Sequence, residues 1–283
     1  MKAETIIIHL PDGDPKGVKI CDFKGSTIKS IFFPRNMVDK VQGRDELGNP
    51  GVYFLFGERD DFNRPSVYIG EAEPLIKRIK NHIRDTKKEW QYAICFTSKE
   101  SLNKAEIKHI EHLAYTTAKR EKRCKVTNDT IPTKSRLSES DKAFAQSFFN
   151  QLKVLIGVLG FPIFEDSARK KLNKLHYFVK EAKAYGLYGD EGFIVLKGST
   201  CNKETRKSAK ERLRRLRKKL IDGGILKDTG KMLEFTQDMT FSSPSKAGSI
   251  IAGGHVNGWT VWKLEDGTTL DKEMRQKVED GTN

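Results

Sequence analysis

Two short apolar runs separated by a charged segment constrain this chain more than any other feature. Residues 51–56 read GVYFLF and residues 66–70 read SVYIG, and both are rich in β-branched and aromatic side chains. The intervening residues 57–65 are mostly charged and end in a proline. Such runs favour strands, and a polar connection of this length favours a hairpin. We predict that the two runs pair antiparallel.

A helix is predicted directly after the second run. Pro74 is a favourable residue for a helix start, and the sequence that follows carries Arg78 and His82 four positions apart. Residues separated by four positions lie on the same face of a helix. The helix therefore presents a guanidinium and an imidazole side by side. Residues 90–97 are apolar and aromatic enough to form a third strand of the same sheet.

A second helix is predicted from Asn103 onward. Asn103 and Glu106 have the spacing of a capping box, in which each side chain bonds the other residue's backbone. Apolar residues then recur at helical spacing between positions 107 and 118. Glu111 falls on the face beside this stripe and has no partner assigned by local spacing.

The predicted fold class is α+β. We expect a small three-stranded antiparallel sheet flanked by helices, an N-terminal β segment made of short strands before it, and a C-terminal α+β module after it. The polar, non-periodic residues 128–140 favour a linker between domains. The predicted domains are an N-terminal β segment at 1–45, a hairpin-and-helix domain at 46–130, a linker and connecting helix at 131–160, and a basic C-terminal module at 161–283.

The C-terminal module contains a strongly basic segment. Residues 203–220 are predicted to form an amphipathic helix with a core stripe of alanine and leucine, and its ten lysines and arginines face only two glutamates. A basic helix face neutralises backbone phosphates without reading base sequence. A merely solvated face is an equally good interpretation. The predicted nucleic-acid-binding residues are Lys207, Lys210, Arg214, Arg215, Arg217 and Lys218. Farther on, Asn257 and Gly258 favour a turn, with a strand predicted at 259–264.

The charge of the whole chain favours polyanionic partners. Lysine and arginine exceed aspartate and glutamate by 14, a surplus that attracts nucleic acid. The pattern does not distinguish DNA from RNA, and it leaves the oligomeric state open. The longest apolar run covers eight residues, 154–161, and a membrane span needs about 20, so no membrane partner is expected. The N-terminus lacks the apolar core of a secretory signal and the four cysteines are scattered, which favours a cytoplasmic protein with reduced thiols.

Six residues in order resemble the motif set of the GIY-YIG nuclease family. They occur in GVY at 51–53, in YIG at 68–70, on the two predicted helices and beyond them. The resemblance covers about Gly51 to Asn128. The tail TFSSPSKAGSIIAGGHVNGWTVWKL is similar to a bacterial subgroup that carries a C-terminal module of unknown function. The catalytic residues that the resemblance implies are Tyr53, Tyr68, Arg78, His82, Glu111 and Asn128.

The resemblance implies a metal-dependent endonuclease that hydrolyses DNA phosphodiester bonds by water attack. Glu111 would be the ligand of Mg²⁺ or Mn²⁺, since hard divalent ions prefer oxygen. Arg78 would stabilise charge on the phosphate, and His82 would accept or pass a proton. For the general base we prefer Tyr53, with Tyr68 positioning phosphate or water. Asn128 would hold the site together or contact phosphate.

The same residues also have simpler structural interpretations. Either tyrosine alone would be an ordinary strand aromatic, and Arg78 with His82 an ordinary solvated helix face. The runner-up function is a nucleic-acid-binding or regulatory protein that has the nuclease fold and cuts little or not at all. His109 and His112 have a spacing that suits zinc, although no third ligand is evident. Glu71 stands where the family often has a small hydroxyl residue, and we expect it to favour the N-terminus of the following helix.

Overall fold

The computed structural model describes residues 3–60, 64–85, 89–100, 102–165, 174–189 and 192–280, with side chains described up to residue 275. The chain divides into two compact units, Met1–Ala168 and Arg169–Asn283. Within the described ranges no helix is both long and apolar enough to cross a bilayer.

The first unit contains one sheet and four helices within the described residues. Its strands are β1 (Ile6–His9), β2 (Lys19–Phe23), β3 (Ile28–Pro34), β4 (Gly51–Arg59), β5 (Pro65–Ala72), β6 (Tyr92–Ser98) and β7 (Lys125–Val126). Its helices are α1 (Val38–Val41), α2 (Leu75–Arg84), α3 (Lys104–Glu121) and α4 (Glu139–Val158).

The predicted hairpin is confirmed. Strands β4 and β5 pair antiparallel, with Tyr53 opposite Gly70 and Leu55 opposite Tyr68. Strand β6 pairs with β4 on its other side, as the predicted third strand. The α+β class is therefore confirmed, and these three strands sit where the sequence placed them.

The sheet is larger than predicted. Over the described residues its strand order is β1-β2-β3-β6-β4-β5-β7, seven strands in place of three. The reason is that β6 pairs along its full length with β3, so that Ile28 lies opposite Ser98 and Pro34 opposite Tyr92. The N-terminal β segment, predicted as separate, is thus continuous with the central sheet.

The two faces of this sheet carry two apolar cores. Alternate side chains of a strand point to opposite faces, so Phe54 and Phe56 pack with α3 and α4 while Tyr53 and Leu55 pack with α1 and α2. Helix α4, predicted as a connecting element outside the sheet domain, contributes Phe148 and other fully buried residues to the first core. Because its apolar face is buried against the sheet, α4 belongs to the first unit and does not act as a spacer between the units.

Helix α3 begins as predicted. The Asn103 side chain accepts hydrogen bonds from the backbone N–H groups of Ala105 and Glu106, and the Glu106 carboxylate accepts one from Asn103 N. Ile107 and Ile110 are fully buried on the stripe that faces the sheet. Because cap and stripe fix the helix rotation, Glu111 is directed toward the edge of the sheet at β5.

The second unit contains two small sheets and four helices within the described residues. Its strands are β8 (Lys174–Val179), β9 (Ala182–Gly189), β10 (Gly192–Val195), β11 (Thr200–Asn202), β12 (Leu226–Asp228), β13 (Met232–Phe235) and β14 (Met239–Phe241). Its helices are α5 (Glu211–Asp222), α6 (Pro244–Ala252), α7 (Gly258–Val261) and α8 (Leu270–Asp280).

In the second unit, the start of one predicted helix and the type of one predicted strand are wrong. The basic helix α5 begins at Glu211 rather than at Lys203, because the preceding backbone is bonded elsewhere, with Arg206 N donating to Gly253 O. The strand predicted at 259–264 is largely the short helix α7, since the Asn257 side chain caps it by accepting from Trp259 N. The helix start at Ser243 and Pro244 is confirmed.

Candidate active site

The two tyrosines of the hairpin lie on the same face of the sheet and differ in access. Their ring centroids are 6.2 Å apart. Tyr53, on β4 inside the sheet, is only 1% exposed. Tyr68, on β5 near the sheet edge, is half-buried and lines a surface pocket. Only Tyr68 is therefore placed to meet a molecule in that pocket.

Helix α2 brings its guanidinium and imidazole to the Tyr53 hydroxyl. His82 Nε2 lies 2.8 Å from the Tyr53 oxygen, and Arg78 Nε donates to the same oxygen at 3.4 Å. Since a guanidinium only donates, the Tyr53 hydroxyl accepts from Arg78 and its own proton is available for His82. The imidazole is 97% buried, so it is held by packing as well as by this bond.

Gly70 leaves the space that the Tyr53 phenol occupies. A Cβ atom added at Gly70 would clash with the hydroxyl oxygen and the ring carbon that bears it. The two residues are direct neighbours across the β4–β5 pair. The glycine of the YIG triplet is thus explained by close packing against the tyrosine of the GVY triplet, since a larger residue would displace the hydroxyl from His82.

The environment of Tyr53 opposes ionisation. Burial raises its pKa well above the ordinary value for a phenol, and the neighbouring Tyr68 adds to this shift. Arg78 acts in the opposite direction through its hydrogen bond and its charge, while Glu111 raises the pKa slightly further. Tyr53 is consequently a neutral hydroxyl near pH 7.

Glu111, on α3, lies in the pocket that Tyr68 lines at the edge of the sheet. It shares a pocket of about 220 Å³ with Tyr68 and Asn128, which Lys108 and the segment 130–133 complete. Burial raises the pKa of Glu111 to about 7, and the charge of Glu71 contributes in the same direction. Tyr68, Glu111 and Asn128 therefore meet in one pocket, whereas the sequence predicted only their order along the chain.

The Glu111 carboxylate is suited to a divalent cation. Within the described residues no lysine or arginine forms an ion pair with it, although Lys104 and Lys108 lower its pKa by their charge. It is a hard oxygen ligand whose charged form is disfavoured by burial, so a cation would compensate that cost. Glu111 is therefore the residue that would hold a magnesium or manganese ion in this pocket.

Asn128 has a structural role at the edge of β5. Its Oδ1 accepts from Ile69 N at 3.0 Å and its Nδ2 donates to Ile69 O at 2.7 Å. These bonds continue the parallel pairing in which β7 lies beside Ser66 and Val67. Of the two roles predicted for Asn128, holding the site together is the one that this geometry favours.

Two alternatives for neighbouring residues are not supported by the structure. Glu71 forms an ion pair with Lys104 of α3 at 2.6 Å and lies outside the first turn of α2, which contains no acidic residue. His109 and His112 each place Nδ1 near a backbone carbonyl, of Ser135 and Pro132 respectively. In the part of the chain that the structure describes, no group of three potential metal-binding His, Cys, Asp or Glu side chains occurs.

Five of the six residues predicted to bind nucleic acid are exposed, and one is buried. Lys207, Lys210, Arg214, Arg215 and Lys218 are exposed. Arg217 is only 3% exposed, and its guanidinium donates to the carbonyls of Ile250, Asn202 and Lys203. The helical stripe passes through positions 213, 217 and 220, and this periodicity is the sequence signal for its burial.

Sequence reasoning did not identify Lys108 or the segment 130–133 as part of the pocket. Lys108 lies one turn before Glu111 on α3, so helical spacing would have found it. The segment 130–133 has no helical or strand periodicity, so its sequence predicts a linker and gives no signal for the pocket.

One comparison with known proteins gives a match. The profile of a family described as a domain of unknown function, DUF4357, matches residues 175–274. This region lies inside the second unit. Neither a curated protein nor a solved structure matches the chain.

A pH dependence of stability follows from the raised pKa of Glu111. A carboxyl with a folded-state pKa of about 7 and an ordinary unfolded value of 4.5 binds its proton more tightly in the folded state. Its stabilising contribution is complete below the unfolded value and is lost as pH rises toward 7. The stability of Glu111→Gln relative to wild type should therefore rise between pH 4.5 and 7 and then level off, as measured by metal-free urea unfolding. A constant difference across this range would contradict the assignment.

Proposed function

We propose that residues 51–128 form the active centre of a metal-dependent endonuclease of the GIY-YIG type, which hydrolyses DNA phosphodiester bonds by water attack. The observation that carries this proposal is that Tyr68 adjoins both sets of groups. It interacts with Arg78 and its ring centroid lies 5.0 Å from that of His82, and it lines the pocket of Glu111, a half-buried carboxylate whose pKa is about 7. Each of these groups has a role in phosphodiester hydrolysis, and perturbed carboxylates in clefts are typical of functional sites.

The assignment of the tyrosines reverses the order preferred from the sequence. Tyr53 is nearly inaccessible and its pKa is raised by burial, so it is a poor base for a water molecule. Tyr68 lines the pocket and interacts with Arg78. We therefore assign Tyr68 to the attacking water, with Arg78 stabilising negative charge on phenol and phosphate oxygens.

Tyr53 and His82 form the support of this arrangement. The Tyr53 hydroxyl ties α2 to β4 through His82 at 2.8 Å and fixes Arg78 through its Nε at 3.4 Å. A group held by packing and hydrogen bonds keeps its geometry during reaction. His82 is also a proton acceptor for Tyr53, which gives a short path for a proton away from the buried phenol.

Glu111 supplies the anionic ligand of the centre. When bound, the divalent ion would polarise the phosphate and stabilise charge on the leaving oxygen. Lys108, in the same pocket, adds positive charge where a phosphate would lie. One carboxylate binds such an ion weakly, so substrate phosphate is expected to contribute to its affinity.

The experiment that tests the function is plasmid cleavage by the purified full chain. Supercoiled DNA should be nicked in the presence of Mg²⁺ or Mn²⁺, and EDTA should prevent it. Tyr68→Phe should lower the rate by roughly a hundredfold, because it removes the group assigned to the water. DNA binding without strand scission in either metal would favour the alternative of a binding or regulatory protein with this fold.

We further propose that the exposed basic residues of the second unit bind the DNA backbone. Arg215 and Lys218 form exposed ion pairs with Glu211 and Asp222 at 3.4 and 2.9 Å. Such surface pairs are weak enough to be exchanged for phosphates. Lys207, Lys210 and Arg214 are also exposed and surround the start of α5.

Replacing Lys210, Arg215 and Lys218 together by alanine should reduce the affinity for duplex DNA. It should also make that affinity less sensitive to salt concentration. Each lost phosphate contact lowers the slope of log K against log salt by about 0.9. Fluorescence anisotropy with a labelled duplex at several salt concentrations measures this slope. The matched control replaces Lys16, Lys40 and Lys99, exposed lysines of the first unit. Equal slopes for the two triple variants would count against the surface.

A further inference from the structure

The sheet formed by β14, β10, β9 and β8 has one face covered by a helix and a second face on which three described residues, Lys174, Phe178 and Lys183, are exposed. Helix α6 packs against the side to which Leu175, Tyr177 and Phe193 point, and these residues are buried. Because side chains alternate along a strand, the intervening residues form the opposite side, here called the outer face. The described outer-face residues of β8 to β10 with side chains are Lys174, His176, Phe178, Lys183, Tyr185, Leu187 and Ile194.

The outer face carries three adjoining aromatic rings. The Phe178 side chain is 52% exposed, which is unusual for a residue of this size. Its centroid lies 4.8 Å from His176, with 31° between the ring planes, and 5.8 Å from Tyr185 in an edge-on arrangement. His176 and Tyr185 are direct neighbours across the β8–β9 pair. The rings thus form a continuous surface on two paired strands.

The charges of the outer face have one sign. Lys174 Nζ lies 4.3 Å from the centroid of Tyr185, and Lys183 is directly opposite Phe178. Lys263 pairs with His176 in an isolated bridge and is exposed. Among the described residues of β8 to β10, no aspartate or glutamate lies on this face. Rings flanked by cations complement bases flanked by phosphates.

We propose that the outer face binds single-stranded DNA. Bases of a single strand have free faces that stack on aromatic side chains, and the strand's phosphates pair with lysines. A duplex offers only base edges, which rings on a sheet do not reach. The rings and lysines contact bases and phosphates, which single-stranded DNA and RNA share, so a comparison of dT15 with rU15 distinguishes the two strands. Phe178 binds a base, while Lys183 and Lys263 bind phosphates and Lys174, which lies over the Tyr185 ring, adds positive charge beside them.

This inference does not depend on the proposed nuclease. Its residues lie in the second unit, within or beside the DUF4357 match, and none belongs to the pocket around Glu111. They are also separate from the basic residues of α5. A protein without cleavage activity would retain the property, and a nuclease would gain a site for a strand that has left the duplex.

The test compares two substitutions of one exposed residue in the full chain. Phe178→Leu removes the ring and keeps apolar area, while Phe178→Tyr keeps the ring. In EDTA, fluorescence anisotropy measures binding of labelled dT15, of rU15 and of a 15-base-pair duplex. We expect Phe178→Leu to weaken dT15 binding about tenfold, the loss of one stacked base, and Phe178→Tyr to remain within about twofold of wild type. Duplex binding should not change with either substitution.

Several results would overturn the proposal. These are an absence of dT15 binding, equal effects of leucine and tyrosine, an equal loss on the duplex, or tighter binding of rU15. A change in sedimentation with Phe178→Leu would instead assign the face to self-association. Thermal unfolding of both variants checks folding, and because the side chain is half exposed, each should unfold within a few degrees of wild type.

Discussion

Glu111→Gln is expected to reduce the rate of plasmid cleavage by roughly a hundredfold to a thousandfold. This is the range for removing one group that stabilises the transition state electrostatically. The amide has the same shape and lacks the negative charge that a divalent ion requires. The full chain should remain folded, since the substitution removes a carboxylate whose charged form is disfavoured by burial. Nicking of supercoiled plasmid in Mg²⁺ and in Mn²⁺ measures the loss.

The matched control is Glu100→Gln, an exposed carboxylate of the same unit. It should cleave at the wild-type rate. Isothermal titration with Mn²⁺ in the presence of a non-cleavable DNA gives a second reading, in which Glu111→Gln should weaken metal binding and Glu100→Gln should not. Wild-type cleavage by Glu111→Gln would remove the basis for the endonuclease proposal, because Glu111 is the one acidic residue among the described residues that line the pocket.

Arg217→Ala is expected to destabilise the second unit by roughly 1–3 kcal/mol for each buried carbonyl that it leaves unsatisfied. The guanidinium holds the carbonyls of Ile250, Asn202 and Lys203, and its loss leaves these acceptors buried without their donor. Ile250 lies near the end of α6, where a positive charge is also favourable to the helix. The free energy of unfolding can be measured by urea titration, with hydrogen exchange of amides in the second unit as the probe.

Arg215→Ala is the control for this prediction. Arg215 lies two positions earlier on α5 and is exposed, so its loss should change stability by less than about 0.5 kcal/mol. For DNA affinity we expect the opposite ranking. Under conditions in which both variants are folded, Arg215→Ala should lose more affinity than Arg217→Ala. If Arg217→Ala were as stable as Arg215→Ala and bound DNA more weakly, Arg217 would be a phosphate contact as the sequence first suggested.

Features governed by near neighbours in the chain were predicted well. The β4–β5 hairpin follows from two apolar runs and the polar segment between them. The capping box of Asn103 and Glu106 follows from residues three apart. The same cap and stripe determine which face of α3 carries Glu111. These features depend on periods of two and 3.6 residues, which a sequence displays directly.

Features governed by distant residues were missed or misassigned. The pairing of β3 with β6 joins segments about 60 residues apart and turns a three-stranded sheet into a seven-stranded one over the described residues. The burial of Arg217 depends on carbonyls of α6 and of the β11 end. Helical periodicity places Arg217 on the buried stripe of α5, but it does not identify these carbonyls as its partners, because they belong to distant segments of the chain.

The sequence by itself determined the set of chemical groups of the candidate site, since residue types in order on predictable elements define it. Only the tertiary structure decided their accessibility and their hydrogen-bond partners. It buried Tyr53 behind Gly70, placed Tyr68 in the pocket of Glu111, and engaged both amide atoms of Asn128 with the β5 backbone. The physical reason is that accessibility, pKa and hydrogen-bond partners are properties of the surroundings, and packing between distant segments creates those surroundings.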